Sequence, residues 1–192
     1  MNRKQSEIIK DISDKELSFH LYLTQVILLV ISTIIGIFII KDWTSFLNQF
    51  QFTPSIFTVG LCSGFVVVLL DLLLMRVVPK RYYDDGGVNE RIFKNRSVPS
   101  IVLLSAMIAV SEELLFRGIL QYHFGIIIAS IIFAIIHFRY WAHWFLIINV
   151  MVLSFVIGAI YHWTENIWVT IMMHFIIDCF LGIYIKYTQK NL

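Results

Sequence analysis

The chain has 192 residues; 58% are hydrophobic, only 15% are charged, and the net charge is +2. A soluble domain carries about 25% charged residues, and a core of this size could not hide so much apolar surface from water. A water-soluble globule is therefore excluded. The expected fold class is all-α: a polytopic transmembrane helical bundle with about six spans, one domain by length.

Residues 1–20 are polar and mixed in charge. Ile8, Ile9, Ile12 and Phe19 fall roughly on one helical face, as in a short helix lying on a membrane surface. No small-x-small cleavage site follows the first apolar run, so that run is expected to stay as an anchor. A crossing helix needs about 20 mostly apolar residues. Leu21–Ile40 qualifies, as does Ile56–Val78, interrupted by Asp71. Pro54 suits a helix start, Pro79 follows a helix end, and Asp84-Asp85-Gly86-Gly87 reads as a turn. A third span runs from Pro99 through two glutamates to Gln121. The fourth, Gly125–His137, has roughly 13 residues, too few to cross without tilt or thinning. Trp144–Trp163 and Ile167–Tyr187 complete the set. The expected organisation is a cytoplasmic segment 1–20, two spans and a cytoplasmic loop over 21–97, a core over 98–187 with four motif-bearing helices, and a tail over 188–192.

Lysine and arginine set the orientation. With the N-terminus inside, Arg3, Lys4, Arg76, Lys80, Arg81, Arg91, Lys94, Arg96, Arg139, Lys186 and Lys190 all fall on inner segments. The outer segments hold Lys41, and Arg117 lies near the outer end of its span. The positive-inside rule then places both termini in the cytoplasm of a multi-pass cell-membrane protein. Trp43, Trp141, Trp144, Trp163 and Trp168 lie near span ends, where amphipathic rings sit. Cys62 and Cys179 are far apart in apolar runs and read as two buried structural thiols.

An ionisable side chain deep in a bilayer costs at least several kcal/mol unless paired or hydrated, so its presence suggests function. Here these are Asp71, Glu112, Glu113, Arg117, His137, His174 and Asp178. Glu113 and Arg117 are four apart and stack on one helical face. Glu112 points about 100° away and has no local partner, which makes it the candidate general base. His174 and Asp178 are also four apart, so Asp178 can fix the imidazole tautomer. His137 shares a face with Phe133 and by itself reads as an interfacial residue, with Arg139 close behind. Asp71 has Arg76 and Lys80 nearby and reads as structural. There is no His-Glu-x-x-His zinc helix, no Gly-x-Ser-x-Gly elbow and no phosphate loop. The basic residues belong to the orientation pattern, which argues against nucleic acid as a partner.

Three clusters occur in order on successive apolar helices: Glu-Glu-x-x-x-Arg at 112–117, Phe-x-x-x-His at 133–137 and His-x-x-x-Asp at 174–178. Together they resemble the CPBP family, which comprises the CAAX prenyl endopeptidases and the bacteriocin-processing or immunity proteins of Abi type. The resemblance spans roughly residues 98–185. The family's last motif often ends in Asn. Asp178 stands there in this chain, and a carboxylate cannot donate a hydrogen bond to an oxyanion unless protonated.

The resemblance implies hydrolysis of a membrane-associated peptide or protein within the lipid. By it Glu112 activates a water, assisted by His137, and the oxyanion is stabilised around His174 and Asp178. Glu113 and Arg117 shape and neutralise the site. It leaves open a metal-free site or one zinc ion, for which Glu113, His137 and His174 are ligands of the right type. The residues also leave room for a non-catalytic immunity or interaction protein of the same fold, or for a small transporter or proton relay. Counted at about 1.5 Å per residue, Glu112 and His174 share a depth while His137 lies nearer the inside. A fourth helix bent at Gly118 or Gly125 would bring it level.

Overall fold

The structure, a computed structural model, describes residues 12–188. Lipid offers no hydrogen bonds to a backbone, so each apolar run closes its own as a helix. In chain order the elements are α1 (Asp14–Ile39), α2 (Trp43–Asn48), α3 (Ile56–Val77, its first turns π-helical over Ile56–Leu61), α4 (Lys80–Tyr83) and α5 (Val88–Phe93). Then follow α6 (Val98–Glu113), a π-helical stretch Leu114–Gln121, α7 (Tyr122–Ile136), a 3-10 turn Phe138–Tyr140, α8 (Trp144–Thr164) and α9 (Ile167–Thr188). Ser13 starts α1 with a capping box: its hydroxyl accepts from Glu16 N, and Glu16 accepts from Ser13 N. Phe19 is thus already inside α1, and Ile12 packs beside Leu17, Val88 and Ile92. Ile8 and Ile9, expected on the same surface helix, lie outside the described residues.

Five segments are long and apolar enough to cross a membrane: Asp14–Ile39, Ile56–Val77, Val98–Ile136, Trp144–Thr164 and Ile167–Thr188. The third holds two of the expected spans, because residues 121–124 are helical rather than a loop. It is not one rod. Gly125 has φ 83° and ψ 169°, a conformation only glycine adopts without strain. Beyond it the chain folds back. The Phe116 and Phe133 rings meet edge to face at 4.8 Å, whereas one straight helix would hold them about 25 Å apart. α6 and α7 therefore form a hairpin with its tip at Gly125.

α9 is the innermost helix. It packs against α3, α6 and α8, and 56% of its apolar stretch is buried, against 17% for α1 and 22% for α3 and α8. The α3 contact is a backbone contact. Gly60 and Gly64 are four apart on α3, and a Cβ on them would come within 2.6 Å of the Val169 carbonyl oxygen and 2.8 Å of Ile176 Cβ. Small residues at this spacing let membrane helices touch. The outer faces carry large exposed apolar side chains, Phe38 and Val77 each at 81% exposure. Their natural solvent is lipid, and the protein is a multi-pass membrane protein. Cys179 is buried as expected, but Cys62 is exposed, because the face of α3 turned to α9 is taken by Gly60 and Gly64.

Candidate active site

The interior of this apolar bundle contains a chain of polar groups. Glu113 ends α6 and is fully buried, as is Arg117 one turn on. Arg117 Nε lies 3.3 Å from Glu113 Oε2, the pair the four-residue spacing predicts. Arg117 Nη2 also donates to Ser154 Oγ on α8 at 3.2 Å, and its guanidinium lies over the Phe133 ring at 5.3 Å. A lone buried cation would be costly, so the carboxylate, the hydroxyl and the ring face together make the arginine tolerable. The pair stands at the junction of α6 and the π-helical stretch. Widened turns of this kind occur often at functional sites.

Glu113 has a second partner. Its Oε1 lies 2.9 Å from His174 Nδ1 on α9. On the other side of the ring, His174 Nε2 is 3.6 Å from Asp178 Oδ2, beyond a good hydrogen bond. The group that fixes the imidazole is therefore Glu113, across helices, and not Asp178 four residues on. The i,i+4 spacing does bring Asp178 alongside, but the ring tilts toward the stronger contact. Asp178 remains partly accessible, with 27% of its side chain exposed.

Glu112 is half-buried. Among the described residues it makes no hydrogen bond or ion pair, and it lies within electrostatic reach of His174, Asp178, Glu113 and Arg139. Its neighbour Ser111 donates to Gln25 Oε1 of α1 at 2.6 Å, which anchors this part of α6 against the first helix. His137 caps α7, and its Nδ1 sits 2.7 Å from the Phe133 carbonyl. A carbonyl can only accept, so Nδ1 carries the proton and Nε2 is the free lone pair. The hairpin explains how this residue joins the others. Twelve residues separate Glu113 from Gly125 and twelve separate Gly125 from His137, so folding at Gly125 returns His137 to the level of the glutamates. His137 lies within electrostatic reach of His174. Gly118 is not the bend; it sits in the π-helical stretch with Ile167 packed against it.

Sequence reasoning passed over Arg139. It reaches Glu112, Asp178 and Asp85 electrostatically, donates to Asn89 Oδ1 at 3.2 Å and to the Tyr140 hydroxyl, and lies over the Tyr140 ring. The same ring stacks on His137 with planes 8° apart. The loop after α7 is thus tied to the loop before α5. There Asp85 accepts from Asn89 N at 3.0 Å, and burial pushes its carboxyl above the usual range. Nothing local in the sequence marks this tie, because its members are some fifty residues apart. Asp71 is half-buried in α3 and belongs to no part of the cluster.

Among the described residues, no three His, Cys, Asp or Glu side chains converge as a metal-ligand set. Glu113 is engaged by Arg117 and His174, and His174 Nδ1 by Glu113. As arranged, Glu113, His137 and His174 do not fit a zinc ion.

An apolar helical bundle that carries ionisable side chains from α6, α7 and α9 agrees with what the resemblance to CAAX-type intramembrane proteases implies. Comparison with known proteins gives the same class. The family model for type II CAAX prenyl endopeptidase Rce1-like proteins matches residues 94–180. The chain is 39% identical over 166 residues to "Uncharacterized protein YpbD" of Bacillus subtilis (strain 168), across 86% of this chain and 88% of that protein. The chain belongs to this Rce1-like CAAX protease family. No solved structure matches it.

Proposed function

We propose that the protein is an intramembrane endopeptidase that hydrolyses a membrane-associated peptide or protein, with Glu112 as general base. The observation that carries this reading is the Glu113–His174 hydrogen bond of 2.9 Å between α6 and α9. It holds an oriented imidazole and a carboxylate within electrostatic reach of the unpartnered Glu112 inside an apolar bundle. Glu113 and Arg117 neutralise each other and hold the His174 ring. That leaves Glu112 as the carboxylate with no other task.

In the proposed reaction Glu112 takes a proton from a water, whose oxygen attacks the scissile carbonyl. His137 accepts a hydrogen bond from that water through Nε2. His174 acts as an imidazolium: its Nδ1–H donates to Glu113, and its Nε2–H donates to the carbonyl oxygen as negative charge develops there. Asp178, 3.6 Å from Nε2, supports the charge on the imidazolium and makes no direct contact with the oxyanion. The tetrahedral adduct collapses as Glu112 returns the proton to the leaving amine, which frees both peptide products. The same reading puts the protein in the cell membrane with both termini cytoplasmic, supported by the distribution of lysine and arginine along the sequence.

The test is comparative peptidomics of membranes from cells carrying wild type or Glu112→Ala, with and without a chelator. Fragments present only with wild type, at equal protein levels, are the expected result. Replacing a general base costs about 10²–10⁴-fold in rate. Identical fragment sets with both proteins would remove the reading.

A further inference from the structure

Where α1, α5 and the start of α6 meet, the structure holds a cavity of about 210 Å³ that the peptidase reading leaves unused. Ser18, Arg91, Asn95, Arg96, Ser97 and Ser100 give it a polar lining. Asp14 is the one carboxylate there. It pairs with Arg91 and accepts from Asn95 Nδ2 at 3.2 Å.

Arg96 is in a different position. Its guanidinium donates to the Ile92 carbonyl at 3.1 Å, Ser100 Oγ at 3.2 Å and Ser18 Oγ at 3.0 Å. All three acceptors are neutral. Lys186 of α9 donates to the Arg96 carbonyl at 2.6 Å and adds a cation behind the same residue. Among the described residues neither Arg96 nor Lys186 has a carboxylate within ion-pair distance. Two arginines thus line the cavity against one aspartate, with serine hydroxyls beside them and Lys186 behind Arg96. Guanidinium and hydroxyl donors around a recess fit phosphate oxygens.

The position of the cavity identifies what carries the phosphate. It lies at the first turns of α1 and α6, at the end of the bundle that holds Arg76, Lys80 and Arg81. One turn further along those helices the surface turns apolar: Phe19 is 61% exposed, Val102 38% and Leu103 56%. A free anion gains nothing from that wall, whereas a lipid with its phosphate in the cavity lays its acyl chains on it. We infer that the cavity binds the phosphate of an anionic phospholipid headgroup, with the acyl chains running past Phe19 and Leu103. Excess cations favour a net-negative headgroup over a zwitterionic one.

The experiment uses the full-length protein in detergent micelles doped with phosphatidylglycerol, phosphatidylcholine or inorganic phosphate. Retained lipid is read by native mass spectrometry, and the unfolding temperature is followed in parallel. Phosphatidylglycerol alone is expected to be retained and to raise the unfolding temperature. Arg96→Gln should weaken its retention about fivefold, the effect of one basic residue near a membrane surface. Arg81→Gln, at the same end but outside the cavity, should leave it unchanged, and Arg96→Lys should recover part of the loss. If Arg96→Gln does not fold, the Ser18→Ala/Ser100→Ala pair reads the same cavity. Equal retention of both lipids by wild type overturns the inference, as does an equal loss in Arg81→Gln and Arg96→Gln. Inorganic phosphate acting as well as phosphatidylglycerol overturns the lipid assignment. Glu112→Ala should bind lipid as wild type does, which separates this site from the peptidase reading.

Discussion

α1 and α9 are both long enough and apolar enough to cross a membrane, yet they do opposite work. α1 buries 17% of its apolar stretch and α9 buries 56%. The first spends its hydrophobicity on lipid, and the second lies at the centre of the bundle and carries His174 and Asp178. Hydropathy says that a helix enters the membrane; the ionisable and small residues on it say whether it meets lipid or protein there. The contrast can be tested residue by residue.

The largest effect is expected at Glu113. Glu113→Leu leaves Arg117 buried without its carboxylate and His174 without its Nδ1 partner, and breaking a buried pair in this way costs about 3–5 kcal/mol. Glu112→Leu removes no partner and should cost under about 1 kcal/mol, while the proposed role of Glu112 predicts loss of cleavage. Equilibrium unfolding of the two variants in mixed micelles separates them, and equal losses would contradict the division of labour between the adjacent glutamates. Next comes the α3–α9 contact. Gly64→Leu forces the helices apart at a Cβ distance of 2.8 Å, for which overpacking predicts about 1–3 kcal/mol in the same assay. Gly125→Ala places a Cβ at φ 83°, a strain of about 1–3 kcal/mol. Space is not the obstacle there, since nothing lies within 4 Å of such a Cβ. A cysteine pair at Phe116 and Phe133 should then cross-link less readily than in an otherwise wild-type background. The smallest effect belongs to α1: Phe38→Ala, on the lipid face, should stay within about 0.5 kcal/mol of wild type. A loss as large as that of Gly64→Leu would mean that α1 has a protein partner on its outer face.

Much of this was legible in the sequence. Six apolar runs emerge from hydropathy and proline positions, because a backbone in lipid has almost no option but helix; the structure joins two of them in Val98–Ile136. The Glu113–Arg117 pair was legible from spacing alone. What was not legible depends on contacts between distant segments. The i,i+4 rule pairs His174 with Asp178, but a carboxylate from another helix outcompetes it at 2.9 Å. The return of His137 depends on the backbone angles of one glycine, and composition does not report φ. Arg139 read as a span-end cation because its partners Asn89, on α5, and Asp85, in the loop before it, are some fifty residues away. Cys62 read as buried because hydropathy cannot tell which face of α3 meets α9.

The short arm of the Gly125 hairpin has a consequence for solvent. From Gly125 to Ile136 it rises about 17 Å, roughly half of a 30 Å hydrocarbon layer. An arm that starts at one face and rises this far ends inside the layer, and there the chain leaves the α-helix for a 3-10 turn and a short loop over 137–143. Open backbone at such depth survives only against other protein or against water. Turns within the segment meet part of it, Tyr140 N on the His137 carbonyl at 2.9 Å and His143 N on the Tyr140 carbonyl at 2.8 Å; the remainder, with Arg139 and Asn89 beside it, calls for a hydrated recess reaching inward from the far leaflet. A hydrolase enclosed in hydrocarbon needs such a channel, since the second reactant is the one molecule the membrane keeps out.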